Sequence, residues 1–174
     1  MQVIDAMKER RSIRKFKAEL PTKQEIEQVI EAGLYAANGM GKQAPIIVAV
    51  TNKELRDKLS AQNRKIANAP EGMDPFYGAP AVLVVLADKS VPTYVYDGSL
   101  VMGNMMLAAH ALGLGSCWIH RAKEEFASEE GKELLKSLGV EGEYEGIGKC
   151  ILGYIDGEAP AAKERNTGRV YWAE

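Results

Sequence analysis

Residues 8–17 read KERRSIRKFK. Six of the ten are basic and Glu9 is the lone acid, in a chain of 174 residues whose formal charge is −2. Arginine carries a planar fork of donors that matches phosphate and other oxyanions. Arg10, Arg11 and Arg14, with Ser12 between them, are therefore candidates for holding a phosphate or carbonyl-like acceptors. Two plainer readings compete. Cations are favourable at a helix C-terminus, where the dipole is negative, and that accounts for one or two of them. A charge run is also commonly a solvated face. A second basic element, AAKERNTGR, holds Lys163, Arg165 and Arg169. Alone it reads as a solvated tail, but the ends of a compact chain often lie close together. Together the two elements could form one phosphate site.

Other chemistries find no support in the sequence. No GxGxxG follows a strand-like run, and neither a phosphate-binding GxxxxGK[ST] loop nor a GxSxG elbow occurs. His110 and His120 are the only histidines. His110 lies in an apolar helical run and reads as a satisfied core residue, and no metal constellation forms with either. Cys117 and Cys150 are far apart, with no Cys-x-x-Cys, so buried free thiols are expected rather than a disulfide or a zinc site. A pI near 5.8 argues against a dedicated nucleic-acid binder. The apolar runs fall short of a membrane span, and the charged N-terminus carries no signal-peptide core. A reducing cytoplasm is the expected location.

The elements that must position these residues alternate along one domain spanning residues 1–174. Val3, Ile4 and Met7 have helical spacing. Thr22 and Glu25 have capping-box spacing before an apolar face of Ile26, Val29, Ile30 and Leu34. APIIVAVT and AVLVVLAD are short apolar runs that predict buried strands, with a polar surface helix between them. DGSLVMGNMMLAAHALGLG predicts a helix with Asp97 as its cap and Gly113 or Gly115 at its end. It is apolar nearly all round, so it should be wholly buried, at the centre of a homodimer if there is one. GSCWI and GIGKCILGYID predict two more strands, around a helix capped by Ser128. Four strands and five helices make a layered α/β or α+β domain. The tail from Gly157 is polar but ends in Tyr171 and Trp172, a composition suited to packing on its own domain or a partner.

Four segments, in order, resemble the FMN-dependent nitroreductase family: RRSIRKF, AANGMGKQAP, GAPAVLVV with GNMMLAAHALGLGSCWI, and LGY with PAAKER. The resemblance covers essentially the whole chain. It implies an α+β fold, a mixed sheet flanked by helices, in an intertwined homodimer with FMN at the interface and the tail, about residues 157–174, wrapping the partner. Arg10, Arg11 and Ser12 would hold the FMN phosphate and ribityl chain, with Lys163 and Arg165 completing the phosphate site. Arg14 would reach the flavin N1 and C2 carbonyl. Asn38, Gly39, Gly41 and Gln43 would come from the other subunit. Backbone groups of Cys117, Trp118, Ile119, His120 and Arg121 would approach the ring near N5. NADH or NADPH would supply the hydride, a small-molecule acceptor such as a nitroaromatic or quinone would receive the electrons, and no catalytic side chain is needed because the flavin carries the chemistry.

Several neighbouring residues carry two readings. Phe76 and Tyr77 could line the substrate side of the flavin or plug the core edge. Trp118 could stack near the ring or pack in the core. Asn104, in a buried helix, needs hydrogen-bond partners, and self-pairing across a dimer axis would supply them. Met102, Met105 and Met106 read as packing residues. The rival functions are a flavin-binding sensor or store without turnover, a polyanion-binding module using the basic ends, and a flavin enzyme of another reaction type such as dehalogenation.

Overall fold

The computed structural model describes residues 2–174. Strands β1 (Pro45–Val50), β2 (Ala81–Asp88), β3 (Leu114–Ile119) and β4 (Tyr144–Tyr154) form one sheet in the order β1-β2-β4-β3. Each adjacent pair in this order is antiparallel. The parallel component of the expected mixed sheet is a single bridge, Ser12 to Ser116, on the outer side of β3. β2 is buried from Ala81 to Ala87, as a continuous apolar run requires of a central strand. β1 departs from expectation. It is an edge strand with mostly half-buried side chains.

Six α-helices surround the sheet: α1 (Val3–Glu9), α2 (Lys23–Leu34), α3 (Lys53–Ile66), α4 (Tyr94–Ala111), α5 (Ala122–Ala127) and α6 (Glu129–Ser137). The capping box at α2 forms as its spacing predicts, with Glu25 N–H donating to Thr22 Oγ1 and Thr22 N–H to the Glu25 carboxylate. Ser128 caps α6. α5 is the helix that periodicity does not predict, because six residues, three of them charged, are too few to show a pattern. α4 starts earlier than expected, at Tyr94. Asp97 lies inside its first turn, where its carboxylate accepts from the Thr93 hydroxyl and the Gly39 N–H, each at 2.9 Å.

Alternation along the strands divides the core in two. Val82, Val84, Cys117 and Ile151 face Leu59 of α3, Phe126 of α5 and Leu135 of α6. Leu83, Val85, Cys150 and Leu152 face Val29 of α2 and Met102 and Met105 of α4. Both cysteines are buried free thiols, and burial pushes the Cys150 thiol up to about 12, so it is not a thiolate at neutral pH. Lys149 of β4 and Glu125 of α5 form an ion pair with both side chains essentially inaccessible. Burial raises the Glu125 pKa and lowers that of Lys149, drawing the two toward each other because it penalises both charged forms.

Two apolar faces stay uncovered in the single chain. α4 is not wholly buried: Tyr96, Leu100 and Gly103 make an exposed stripe at helical spacing. On α1, Val3, Ile4 and Met7 point outward and Ala6 is the buried residue. Asn104 does not need a partner across an axis, since its Nδ2 donates to the Ala32 carbonyl at 3.0 Å. Among the described residues no helix is long and apolar enough to cross a membrane.

Candidate functional site

The basic segment leaves α1 at Arg10 and runs along the outer side of β3, where Ile13 N–H donates to the Ser116 carbonyl at 3.0 Å. Its next residues cross to the end of β4: Phe16 bridges Ile155, and Lys15 pairs with Asp156 at 2.9 Å. The N-terminal segment and the start of the tail are thus adjacent. The three arginines divide their work. Arg11 closes α1, donating from one Nη to the carbonyls of Lys8 and Arg10 at 2.7 and 2.8 Å, the capping role expected of a cation there. Arg10 is different. Its Nη1 is buried and has no hydrogen-bond partner among the described residues. A buried charged donor without a partner is costly, so this nitrogen marks a place for an anion. Arg14 is exposed, with its guanidinium 5.9 Å from the centre of the Tyr77 ring.

β3 supplies the facing wall. In an antiparallel pair, successive residues turn their backbone groups alternately toward and away from the partner strand. The Ser116 carbonyl points outward to Ile13, so Trp118, two residues on, turns its own N–H and C=O off the same edge. Beyond β3 the chain bends. His120 gives its carbonyl to Asn63 Nδ2 at 2.7 Å, and Arg121 takes the left-handed conformation, φ 76°, as it enters α5. Trp118 packs edgewise into the core, and Gly148 leaves it room: a Cβ there would lie 2.6 Å from the indole nitrogen. That buried indole N–H has no partner among the described residues. His110 also departs from expectation, since its buried Nε2 is likewise unpartnered.

The third wall is the Pro/Gly loop after α3. Asp74 is its hub. The Asp74 carboxylate accepts from Arg56 at 2.5 Å, from the Ser60 hydroxyl at 2.6 Å and from the N–H groups of Phe76 and Gly78 at 3.0 and 2.7 Å. Burial alone would raise its pKa, but these donors outweigh it and hold the carboxyl below its ordinary range. The hub fixes Phe76 in the core and Tyr77, at φ 53°, on the cleft. The cleft lies between Arg14, Met73, Pro75 and Tyr77 on one side and Cys117, Trp118, Ile119 and His120 on the other. Asp74→Ala should lower stability by about 2 kcal/mol, because Arg56, only 8% exposed, loses one of its two carboxylate partners and Ser60, Phe76 and Gly78 lose their acceptor. The same contribution is present above the unfolded pKa of about 4 and is lost as pH falls through the depressed folded value. Urea titration of wild type and variant between neutral pH and about pH 3 should show the two curves converging.

One chain does not bring all the expected residues together. Asn38, Gly39, Gly41 and Gln43 lie in the loop before β1, at the opposite edge of the sheet from Ser12 and β3. By register, Cys117 is level with Val50, so Pro45 is about 14 Å across and about 17 Å along from it. Part of that loop has a local explanation: the Asn38 side chain accepts from Gln43 N–H at 2.9 Å, and a Cβ on Gly39 would strike the Thr93 hydroxyl at 2.1 Å. Lys163 and Arg165 lie on the exposed tail, with no regular structure around them. Sequence reasoning missed Arg56, Ser60, Asn63 and Asp74. The signal was available as a polar stripe at positions 56, 60 and 63 of α3, one helical face.

A basic segment leaving the first helix, an edge strand with outward backbone donors and a loop wall define a cleft of about 230 Å³ beside the sheet. The chain belongs to the nitroreductase family, whose model matches residues 7–154. A relative from Methanothermobacter thermautotrophicus, provisionally named NADH dehydrogenase/NAD(P)H nitroreductase, is 29% identical over 122 residues, covering 68% of this chain. The match spans 60% of that relative's length. A solved nitroreductase with bound FMN from Bacteroides fragilis is 26% identical, with a TM-score of 0.91 over the whole of both chains. An iodotyrosine deiodinase bound to FMN and 3-iodo-L-tyrosine, 21% identical with a TM-score of 0.78 over 99% of this chain and 100% of that one, shares the fold.

Proposed function

We propose that the protein is an FMN-dependent oxidoreductase that acts as a homodimer, taking hydride from NADH or NADPH and passing electrons to a nitroaromatic, quinone or similar acceptor. The observation that carries this reading is the buried Nη1 of Arg10, in the basic segment that leads to the cleft, which has no hydrogen-bond partner among the described residues. Arginine next to Arg11 and Ser12 suits a phosphate dianion. The donor set therefore fits FMN, with Arg10, Arg11 and Ser12 at the phosphate and ribityl chain. Lys163 and Arg165 can join them, because the tail departs beside Lys15. Arg14, poised over Tyr77, suits the N1 and C2 carbonyl edge. A fixed cation there stabilises negative charge on the reduced ring and favours hydride acceptance. The outward backbone groups from Trp118 to Arg121 suit the opposite, N5 edge. Bound FMN would supply the hydride chemistry; the chain binds it, orients it and biases its charge.

The dimer follows from what one chain lacks. The cleft of about 230 Å³ is smaller than the roughly 300–1,000 Å³ usual for ligand pockets. Asn38, Gly39, Gly41 and Gln43 sit too far away to complete it, so a second copy must supply them. The exposed stripes of α1 and α4, and Tyr171 and Trp172 at 90% and 83% exposure on the tail, provide apolar surface for that copy to cover. One open face then serves donor and acceptor in turn. Steady-state rates measured over both substrates should give parallel double-reciprocal lines, and light scattering should give a dimer mass. Intersecting lines would contradict alternate use of one face; a monomer that still binds FMN would contradict the dimer.

A further inference from the structure

We propose that Asn63 is a positioning residue for the flavin, holding the peptide between His120 and Arg121 so that its N–H faces the ring. This rests on the FMN reading above. Asn63 belongs to α3, is 2% exposed, and reaches across 57 residues of sequence to one target, the His120 carbonyl at 2.7 Å. A peptide unit is planar and trans, so its C=O and N–H point in opposite directions. With the His120 carbonyl drawn toward α3, the Arg121 N–H is turned away from α3; Trp118 and His120 line both the Tyr77 cleft and a second cleft that reaches Arg121.

A second observation shows that this peptide is held against its own preference. Arg121 has φ 76°, a conformation that costs an L-residue about 1–2 kcal/mol and that a glycine would adopt freely. The ion pair of Arg121 with Glu124 at 2.8 Å is half exposed and contributes little. The buried contact from Asn63 is the remaining tie on that peptide. The chain therefore keeps a left-handed arginine at the end of β3 by means of a carboxamide on a neighbouring helix. The same α3 face carries Arg56 and Ser60, which fix the loop bearing Tyr77, so one helix holds both that loop and the end of β3.

A backbone donor at the reduced ring stabilises its added charge more than it stabilises the oxidised ring. Releasing the peptide should thus weaken the reduced flavin more than the oxidised one. The test compares wild type with Asn63→Asp, an isosteric change that removes the donor, and Asn63→Ser, whose side chain is too short to reach the carbonyl. The readouts are the FMN dissociation constant by fluorescence quenching and the midpoint potential by spectroelectrochemical titration. Binding of reduced flavin should fall about tenfold more than binding of oxidised flavin, seen as a potential about 30 mV lower in both variants. A lower melting temperature with an unchanged potential would reduce Asn63 to a packing residue and overturn the inference. Wild type that takes up no FMN would overturn the flavin reading and this inference with it.

Discussion

Lys149→Met will destabilise the protein by about 3–5 kcal/mol at neutral pH, the largest effect expected of any single change outside the apolar core. The substitution keeps the side-chain bulk and removes the charge, leaving Glu125 buried on α5 with no counter-ion. Desolvation already raises Glu125, and without Lys149 the carboxyl must either remain a buried anion or take up a proton. The sign follows. A carboxyl whose folded pKa is raised loses stability as pH climbs above its unfolded value of about 4.3, so the deficit should be largest at neutral pH and shrink toward pH 4. Removing both charges, in Glu125→Leu with Lys149→Met, should recover most of the loss, because two apolar groups of similar size do not carry the desolvation cost of the pair. Denaturant titrations of the two variants at pH 7 and pH 4.5 provide the check. A double variant as unstable as the single one would show that the pair supplies more than mutual neutralisation.

Arg10→Ala will weaken FMN binding about tenfold to a hundredfold and leave the fold intact. A hydrogen bond to a charged group contributes about 1.5–3 kcal/mol, which converts to that range. Because Nη1 has no partner among the described residues, its removal deletes no internal contact at that atom. Arg11→Ala should behave differently, since Arg11 also closes α1 through the Lys8 and Arg10 carbonyls, and some of its effect will appear as lost stability. Fluorescence titration of FMN beside thermal melts of the flavin-free proteins separates the two. Unchanged FMN affinity in Arg10→Ala would remove that residue from the phosphate site.

The parts of the fold legible in the sequence were those written in local chemistry. Thr22 with Glu25, Ser128 before α6 and the unbroken apolar run of β2 each identify their element without reference to the rest of the chain. Residues 15–17 pair with residues 154–156, which sets the start of the tail beside the basic segment. What escaped were features that depend on which polar groups become buried. Arg56, Ser60 and Asn63 look like the wet side of a surface helix, yet the Asp74 loop and the end of β3 cover them. Periodicity read on apolar residues has no means of finding a buried polar face. The apolar stripe of α1 misled in the opposite way, because Val3, Ile4 and Met7 face outward in the chain taken alone. The expected flavin residues separate on the same principle. The arginine segment and the end of β3 meet within one chain, whereas residues 38–43 lie at the opposite edge of the sheet.

The most direct test of the central claim is a visible absorption spectrum of the protein after loading with FMN and desalting, repeated with NADH or NADPH under anaerobic conditions. The account predicts about one flavin retained per chain, with a spectrum shifted from free FMN, that bleaches when the nicotinamide donor is added. Protein that emerges from desalting without flavin would contradict it, and the buried Arg10 would then belong to some other anion.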